Sequence, residues 1–366
     1  MKKIRLFTMA LMAGAAIVSC SSAAEEQSPA QTVETEQLLA SLKSQPDRGI
    51  MYGHHDATVY GIGWEGDEDR SDVKSVCGDH PAVISFDLGE LELGGQQNLD
   101  KVAFDKIRQE AVRQFERGGM VSMSWHARNP KTGGDAWDNS DSTVVRSVLP
   151  GGECHETFVG WLDRLADFLS SLKTDDGVKV PVLFRPWHEH TGGWFWWGER
   201  LCSADDYKAL WRLTADRLAA DGVNNVLYAY SSGIEPADSV AYLAKYPGDD
   251  IVDVIGFDAY QFDHDSYVEW MTRMLAIVDC VGRAHDKVVA VTETGFEGIP
   301  DEKWWTGTVL PLLADYRLAY VLTWRNAREK EGHFFAPYPG QASADDFVEF
   351  YSSPKTLFAN DVDLYK

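Results

Sequence analysis

The apolar positions of this chain gather into eight short runs separated by longer amphipathic stretches. The runs are GIMYGHH at 49–55, AVISFDL at 82–88, MVSMSWH at 120–126, VPVLFRPWHE at 180–189, NVLYAYSS at 225–232, VDVIGFDAY at 252–260, KVVAVTETG at 287–295 and AYVLTWRNA at 319–327. They are rich in Val, Ile, Leu and Tyr and do not alternate strictly with polar residues, which is the pattern of strands buried on both faces of a parallel sheet. Between them, in 104–118, 158–173 and 204–222 for example, apolar residues recur at three and four and predict helices. Ser203 suits the N-cap of the last of these, and Gly222 its C-terminal stop. Eight strands with intervening helices and no second composition shift predict an α/β fold, a single-domain (β/α)8 TIM barrel over residues 37–366. A doubly wound open sheet is the alternative, but it needs no regular eightfold series.

A barrel of this kind gathers the carboxyl ends of its strands on one face, and here those ends are polar. They carry His54 and His55, Asp87, His126, His188 with Glu189, Ser231, Asp258 with Tyr260, Glu293, and Trp324 with Arg325. Glu189 in RPWHE and Glu293 in TETG end strands four and seven, across the mouth from each other. A retaining glycosidase needs two carboxyl groups about 5 to 5.5 Å apart, one the nucleophile and one the acid/base. Glu189, flanked by Trp187, His188 and a Trp-rich loop, has surroundings that keep a carboxyl protonated near neutral pH. Glu293 is expected to stay ionised, with Tyr260, Arg185 or a histidine donating hydrogen bonds to it.

RPWHEHTGGWFWWG, residues 185–198, follows this candidate with Trp194, Phe195, Trp196 and Trp197. Indole faces stack on the apolar C–H faces of pyranose rings. Trp194 is assigned to substrate; Trp197 is retained as a contact, although some of this group must serve packing. SWHARNPKTGGDAWD, residues 124–138, opens a Gly-rich loop in which His126, with Trp125 and Asn129, is expected to meet sugar hydroxyls.

Composition sharpens the substrate class. The 13 Trp, 14 Tyr and 16 Phe of the 366 residues exceed the needs of one core, and many stand beside Gly, His or Arg. The 57 acidic against 34 basic residues give a formal charge of -23, which disfavours nucleic acid and anionic membranes and leaves a neutral ligand open. No GxSxG, Walker A or GxGxxG motif occurs. GDEDRSD at 66–72 reads as a solvated charge run, and the His54–His55 pair lacks further ligand spacing, so no metal is expected.

Residues 1–19 read as a secretory signal, with a basic start and an apolar run too short to span a bilayer. AIVSC resembles a bacterial lipobox, making Cys20 the lipidated first residue of an exported lipoprotein at the outer membrane, on its periplasmic face or the cell surface. Residues 20–36 read as a tether. Cys77, Cys154, Cys202 and Cys280 permit three disulfide pairings or none.

At RPWHEHTGGWFWWG and VTETGF the sequence resembles glycoside hydrolase family 26, in particular its β-mannanases. SWHARNP with TGGDAWD, GFDAYQ and TWRNA follow in the family's order, so the resemblance extends over most of the chain beyond Cys20. It implies that Glu189 is the acid/base and Glu293 the nucleophile of a retaining double displacement, with His188 positioning the acid. His126 and Trp324 would contact the sugar at the scissile subsite, Tyr260 would hydrogen-bond the nucleophile, and Trp194 would form a platform across the cleavage point. The resemblance further implies a cofactor-free monomer acting on β-1,4-mannan or galactomannan. A lichenase or β-1,3-xylanase shares the same motifs, and a noncatalytic glycan-binding lipoprotein would keep the aromatic cleft. Attack within the chain and release of mannobiose from an end are both open at this point.

Overall fold

The computed structural model describes residues 30–366; the signal segment, Cys20 and the first part of the tether lie outside the described residues. Eight parallel strands run in chain order around a closed sheet: β1 Ile50–His55, β2 Val83–Asp87, β3 Met120–Trp125, β4 Val182–Pro186, β5 Val226–Ser232, β6 Val254–Gln261, β7 Val288–Phe296 and β8 Tyr320–Thr323. Met51, Tyr52, Gly53 and His54 of β1 pair with Tyr320, Val321, Leu322 and Thr323 of β8, which closes the ring. With helices such as Phe104–Glu116, His155–Ser171, Ala204–Ala220 and His264–His285 between strands, this is a (β/α)8 barrel. Ser203 caps the third of these helices by accepting a hydrogen bond from the Asp206 amide, and Gly222 follows its end at φ +80°.

Alternate residues of each strand sort into two cores. Met51, Val83, Met120, Leu183, Leu227, Val254, Val288 and Leu322 fill the lower barrel and pack with Leu38 and Leu42 of the helix Val33–Ser44, which stops the amino-terminal end. Their strand neighbours Tyr52, Ile84, Val121, Val182, Ile255 and Val321 join the larger layer beneath the outer helices. Carried two, four or six residues further along each strand, the same inward parity delivers His55, Asp87, Arg185, Ser231, Asp258 and Tyr260 to the carboxyl end of the barrel.

β7 breaks that parity. Its register with β6 runs from Phe257↔Val291 to Asp258↔Glu293, so Thr292 is an extra residue, and the pairing with β8 shifts at the same place. Val288 and Ala290 point into the barrel, so an unbulged strand would send Glu293 outward. The bulge turns it inward, opposite Asp258, and Thr292 fastens the irregularity by donating to the Phe257 carbonyl at 3.0 Å.

The structure corrects the predicted boundaries in three places. The folded domain starts before residue 37: Thr32 caps the helix Val33–Ser44, its amide donates to the Asn224 carbonyl, and Thr35 is buried, so residues 32–36 belong to the barrel and not to a tether. β4 stops at Pro186, leaving Trp187–Glu189 in a turn, and β8 stops at Thr323. Both stops fall where the chain leaves the ladder to shape the mouth. Cys77, Cys154, Cys202 and Cys280 are free thiols. Among the described residues no helix is long and apolar enough to cross a membrane.

Candidate active site

The turn after β4 is built on unusual backbone. Trp187 and Glu189 both adopt left-handed φ, +53° and +52°, a conformation that costs a non-glycine residue about 1 to 3 kcal/mol and needs surrounding structure to hold it. That structure is present. Tyr207 Oη donates to the Trp187 carbonyl at 2.6 Å, Trp197 Nε1 to the His188 carbonyl at 2.8 Å, and the Glu189 amide to the Ser231 carbonyl at 3.1 Å. The Gly192 amide then donates to the Glu189 carbonyl at 2.9 Å. Every peptide of the turn is pinned, and the Glu189 side chain projects into the cleft.

Glu189, Glu293 and Asp258 each bring a carboxylate oxygen within 4.8 Å of the others. Arg185 reaches up from β4 beneath them. Its guanidinium donates to Glu293 Oε1, to Asp258 Oδ2 at 2.7 Å and to Ser231 Oγ at 3.1 Å. Arg185 is buried, so deleting it would leave unpaired buried carboxylates, a loss of about 3 to 5 kcal/mol. Tyr260 Oη donates to the other nucleophile-candidate oxygen, Glu293 Oε2, at 2.6 Å. Glu293 therefore has one donor on each oxygen, both fixed by strands.

Glu189 has a different environment. Its one hydrogen-bond donor is Trp194 Nε1, at 2.6 Å to Oε2, from an indole that is 39% exposed over the cleft. Burial pushes the Glu189 carboxyl well above the ordinary glutamate range, and the charges of Asp258 and Glu293 push it the same way. Burial likewise lifts Asp258, to about 7, against the pull of Arg185. The geometry thus holds one glutamate ready to give a proton and sets the other between two donors.

Two histidines line the floor between strands three and four. His126 Nδ1 lies 2.7 Å from Asp87 Oδ2, and His126 Nε2 lies 3.2 Å from His188 Nε2. Burial opposes charge on His126, but Asp87 outweighs it and raises its pKa; burial and then the Arg185 charge hold His188 well below the ordinary histidine range. The contact between the two Nε2 atoms ties the rings together, so His126 links the Asp87 carboxylate on β2 to His188 beside the acid candidate. Trp324 is half-buried beside them, its ring centroid 6.2 Å from that of His126.

Three expected contacts are corrected. Trp125 faces outward into the helix layer, where its indole packs on Trp187 at 5.2 Å and donates to Glu92 Oε2. Trp197 is fully buried and supports the Glu189 turn from behind. Asn129 is buried and shapes its own loop, donating to the Asp138 carbonyl and accepting from the Lys131 and Thr132 amides. All three lie beside the cleft in sequence, but strand parity and loop closure turn them away from it.

Other residues emerge only from the fold. Asp258 completes the carboxylate cluster, and its inward parity with Tyr260 in GFDAY was the available signal. Trp137, 48% exposed, stacks nearly parallel on His126 at 5.0 Å and adds an aromatic wall; an indole in a polar, Gly-rich loop was its only mark. Asp72 of the GDEDRSD run accepts from the Ile62 amide, Trp64 Nε1 and Asn326 Nδ2, and so ties the loop after β1 to the loop after β8.

Two sets of described residues bring three metal-ligand atoms within 4.8 Å: the carboxylate cluster just described, and His55 with Asp56 and Asp100. Protein donors already serve both. Arg185 sits on the first; in the second Tyr60 Oη donates to Asp56 at 2.6 Å and Arg325 Nε lies 3.0 Å from Asp100.

Comparison with known proteins agrees with this geometry. The model of the glycosyl hydrolase family 26 matches residues 27–331. The chain belongs to family 26. A family 26 β-mannanase from Bacteroides ovatus superposes with a TM-score of 0.91 at 61% identity, covering 92% of this chain and 98% of that one. A modular endo-β-1,4-mannanase from Cellulomonas fimi superposes at 0.83 with 35% identity over 93% of this chain and 78% of its own. By sequence, a mannan endo-1,4-β-mannosidase of Bifidobacterium adolescentis is 33% identical over 353 residues, which is 90% of this chain and 35% of the relative. The family 26 barrel described here thus spans about a third of that longer protein.

Proposed function

We propose that this protein is a retaining β-1,4-mannanase in which Glu293 is the nucleophile and Glu189 the acid/base. The observation that carries the reading is the pair of carboxyl groups facing each other across the barrel mouth with an oxygen of each within 4.8 Å, one group pushed toward its protonated form and the other held by Arg185 and Tyr260. That spacing matches double displacement; an inverting enzyme separates its carboxyls by about 6.5 to 9.5 Å to admit a water.

In the first step a Glu293 oxygen attacks the anomeric carbon as the glycosidic bond breaks, and Glu189 gives its proton to the departing oxygen. In the second, Glu189, now a carboxylate, takes a proton from water as that water attacks the anomeric carbon and releases Glu293. Each inversion reverses the other, so the product keeps its configuration. His126 stands with Trp324, Trp194 and Trp137 around the space for the sugar, and the exposed indole faces supply stacking surface.

Mannan is supported as substrate by the activities of the relatives above and by the TGGDAWD and WFWWG segments. The experiment is incubation with mannan: release of reducing ends whose first-formed anomer is β supports the reading. Hydrolysis of mixed-linkage β-glucan in its place would overturn the substrate, and binding of manno-oligosaccharide without turnover would make the protein a glycan-binding module. Export as a lipoprotein is proposed from MKKIRLFTMALMAGAAIVSC alone. Radiolabelled palmitate should enter the wild-type chain and not Cys20→Ala.

A further inference from the structure

The histidine pair that ends β1 has no part in the chemistry above, yet one of the two lies against it. The His55 imidazole is stacked on the Trp324 indole, with ring centroids 4.1 Å apart and planes 23° from parallel. His55 is wholly buried while Trp324 is half-buried. One indole face is therefore occupied by the imidazole, and the indole's remaining exposure belongs to the side away from it. Such a stack fixes both the height and the tilt of the indole, because sliding or tipping it forfeits contact over the whole ring.

The imidazole is itself anchored. Strand register pairs His55 of β1 with Ser85 of β2, and His55 Nδ1 lies 3.1 Å from Ser85 Oγ. The hydrogen bond holds the ring in one rotation about its own axis, so the support is a fixed plate and not a mobile side chain. Trp324 has little else of this kind. It follows the last residue of β8, and its backbone makes a 3.3 Å hydrogen bond to the Thr294 carbonyl of β7, which sets where the residue is but not how its ring lies. Burial also holds His55 well below the ordinary histidine range, and so the face beneath the indole carries no charge. A cation there would oppose the positive charge that develops on the sugar in an oxocarbenium-like transition state.

We propose that His55 is a positioning residue of this site: its ring, locked by Ser85, is the plate that orients the Trp324 indole beneath the sugar being cleaved. The inference rests on the mannanase reading for its kinetic consequence, but not for its structural one. If the indole must meet the distorted ring of the transition state, a loosened indole costs turnover more than ground-state binding.

The test compares wild type, His55→Ala, His55→Phe and Ser85→Ala for kcat and KM on mannotetraose, thermal stability, and near-ultraviolet circular dichroism. The contribution of Trp324 to the dichroism is defined by the difference between wild type and Trp324→Phe. In His55→Ala that difference signal should collapse, and kcat should fall about three- to tenfold with KM little changed, the size of one aromatic stacking contribution. His55→Phe, which restores a flat ring, should recover most of both. Ser85→Ala should produce the same changes in weaker form, and it carries the test should His55→Ala fail to fold. Intact Trp324 dichroism with unchanged kcat in folded His55→Ala or Ser85→Ala overturns the proposal, as does a His55→Phe as impaired as His55→Ala. If wild type does not cleave mannotetraose, the substrate reading fails, and the dichroism alone decides the role of His55.

Discussion

Glu189 and Glu293 are the same side chain held in opposite ways. Glu293 sits inside a strand, turned inward by a one-residue bulge, with a guanidinium on one oxygen and a phenol on the other. Glu189 sits on a strained turn beyond its strand, partly exposed, with a single indole donor and two carboxylates close by. The first environment holds its carboxyl in a fixed place between two donors, and the second favours a proton. The contrast teaches that the proposed roles come from backbone geometry and donor count, since the two residues offer identical chemistry before folding.

The contrast can be broken most severely at the strand. Glu293→Ala should lower mannan hydrolysis by at least about 10⁴-fold in a protein that still folds and binds manno-oligosaccharide, because no covalent intermediate can form. Calorimetric titration with mannotetraose beside an activity assay checks both halves, and near wild-type turnover would remove Glu293 from the mechanism.

Glu189→Ala tests the turn. Loss of a general acid should slow mannan hydrolysis about 10²- to 10⁴-fold while formation of the glycosyl-enzyme from an aryl mannoside with a good leaving group is largely spared. Burst kinetics with the aryl substrate make the comparison. Equal losses on both substrates would contradict the acid role.

A smaller effect is expected from Tyr260→Phe, which strips one donor from Glu293 and leaves Arg185 in place. A hydrogen bond to a charged group is worth about 1.5 to 3 kcal/mol, so kcat/KM should fall roughly 10- to 100-fold. If the loss is under twofold, the phenol is not holding the nucleophile.

Trp194→Phe is the mildest change and reads the protonation of Glu189. The indole N–H bonds to the carboxylate and favours its ionised form, so it opposes the upward shift that burial causes. Its removal should raise the Glu189 pKa further. The acid is active when protonated, and the alkaline limb of the kcat/KM profile should therefore move to higher pH. A limb that stays in place, or moves down, would separate that limb from Glu189.

Much of this site was legible in the chain, and the exceptions share a cause. Glu189, Glu293, His126, His188, Tyr260, Arg185, Trp194 and Trp324 all stand at or just beyond carboxyl ends of apolar runs, and barrel geometry brings such ends together. Trp125 and Trp197 stand in the same stretches, but parity sends one into the helix layer and the turn folds over the other. For Trp137 and His55 the significance is a neighbour remote in sequence, His126 for one and Trp324 for the other.

The sequence by itself determined the eightfold alternation, the polar carboxyl ends and the residue types at each, since period and composition are local properties that survive without coordinates. It could not determine which way those residues face. By the simple alternation of β7, Glu293 belongs outside the barrel with Val289 and Val291; only the extra residue at Thr292, visible as a slip of register against β6 and β8, brings it opposite Asp258 and onto Arg185. A bulge is decided by pairing with neighbouring strands, which are distant in the chain. For that reason the tertiary structure, and not the pattern of β7, places the proposed nucleophile in the cleft.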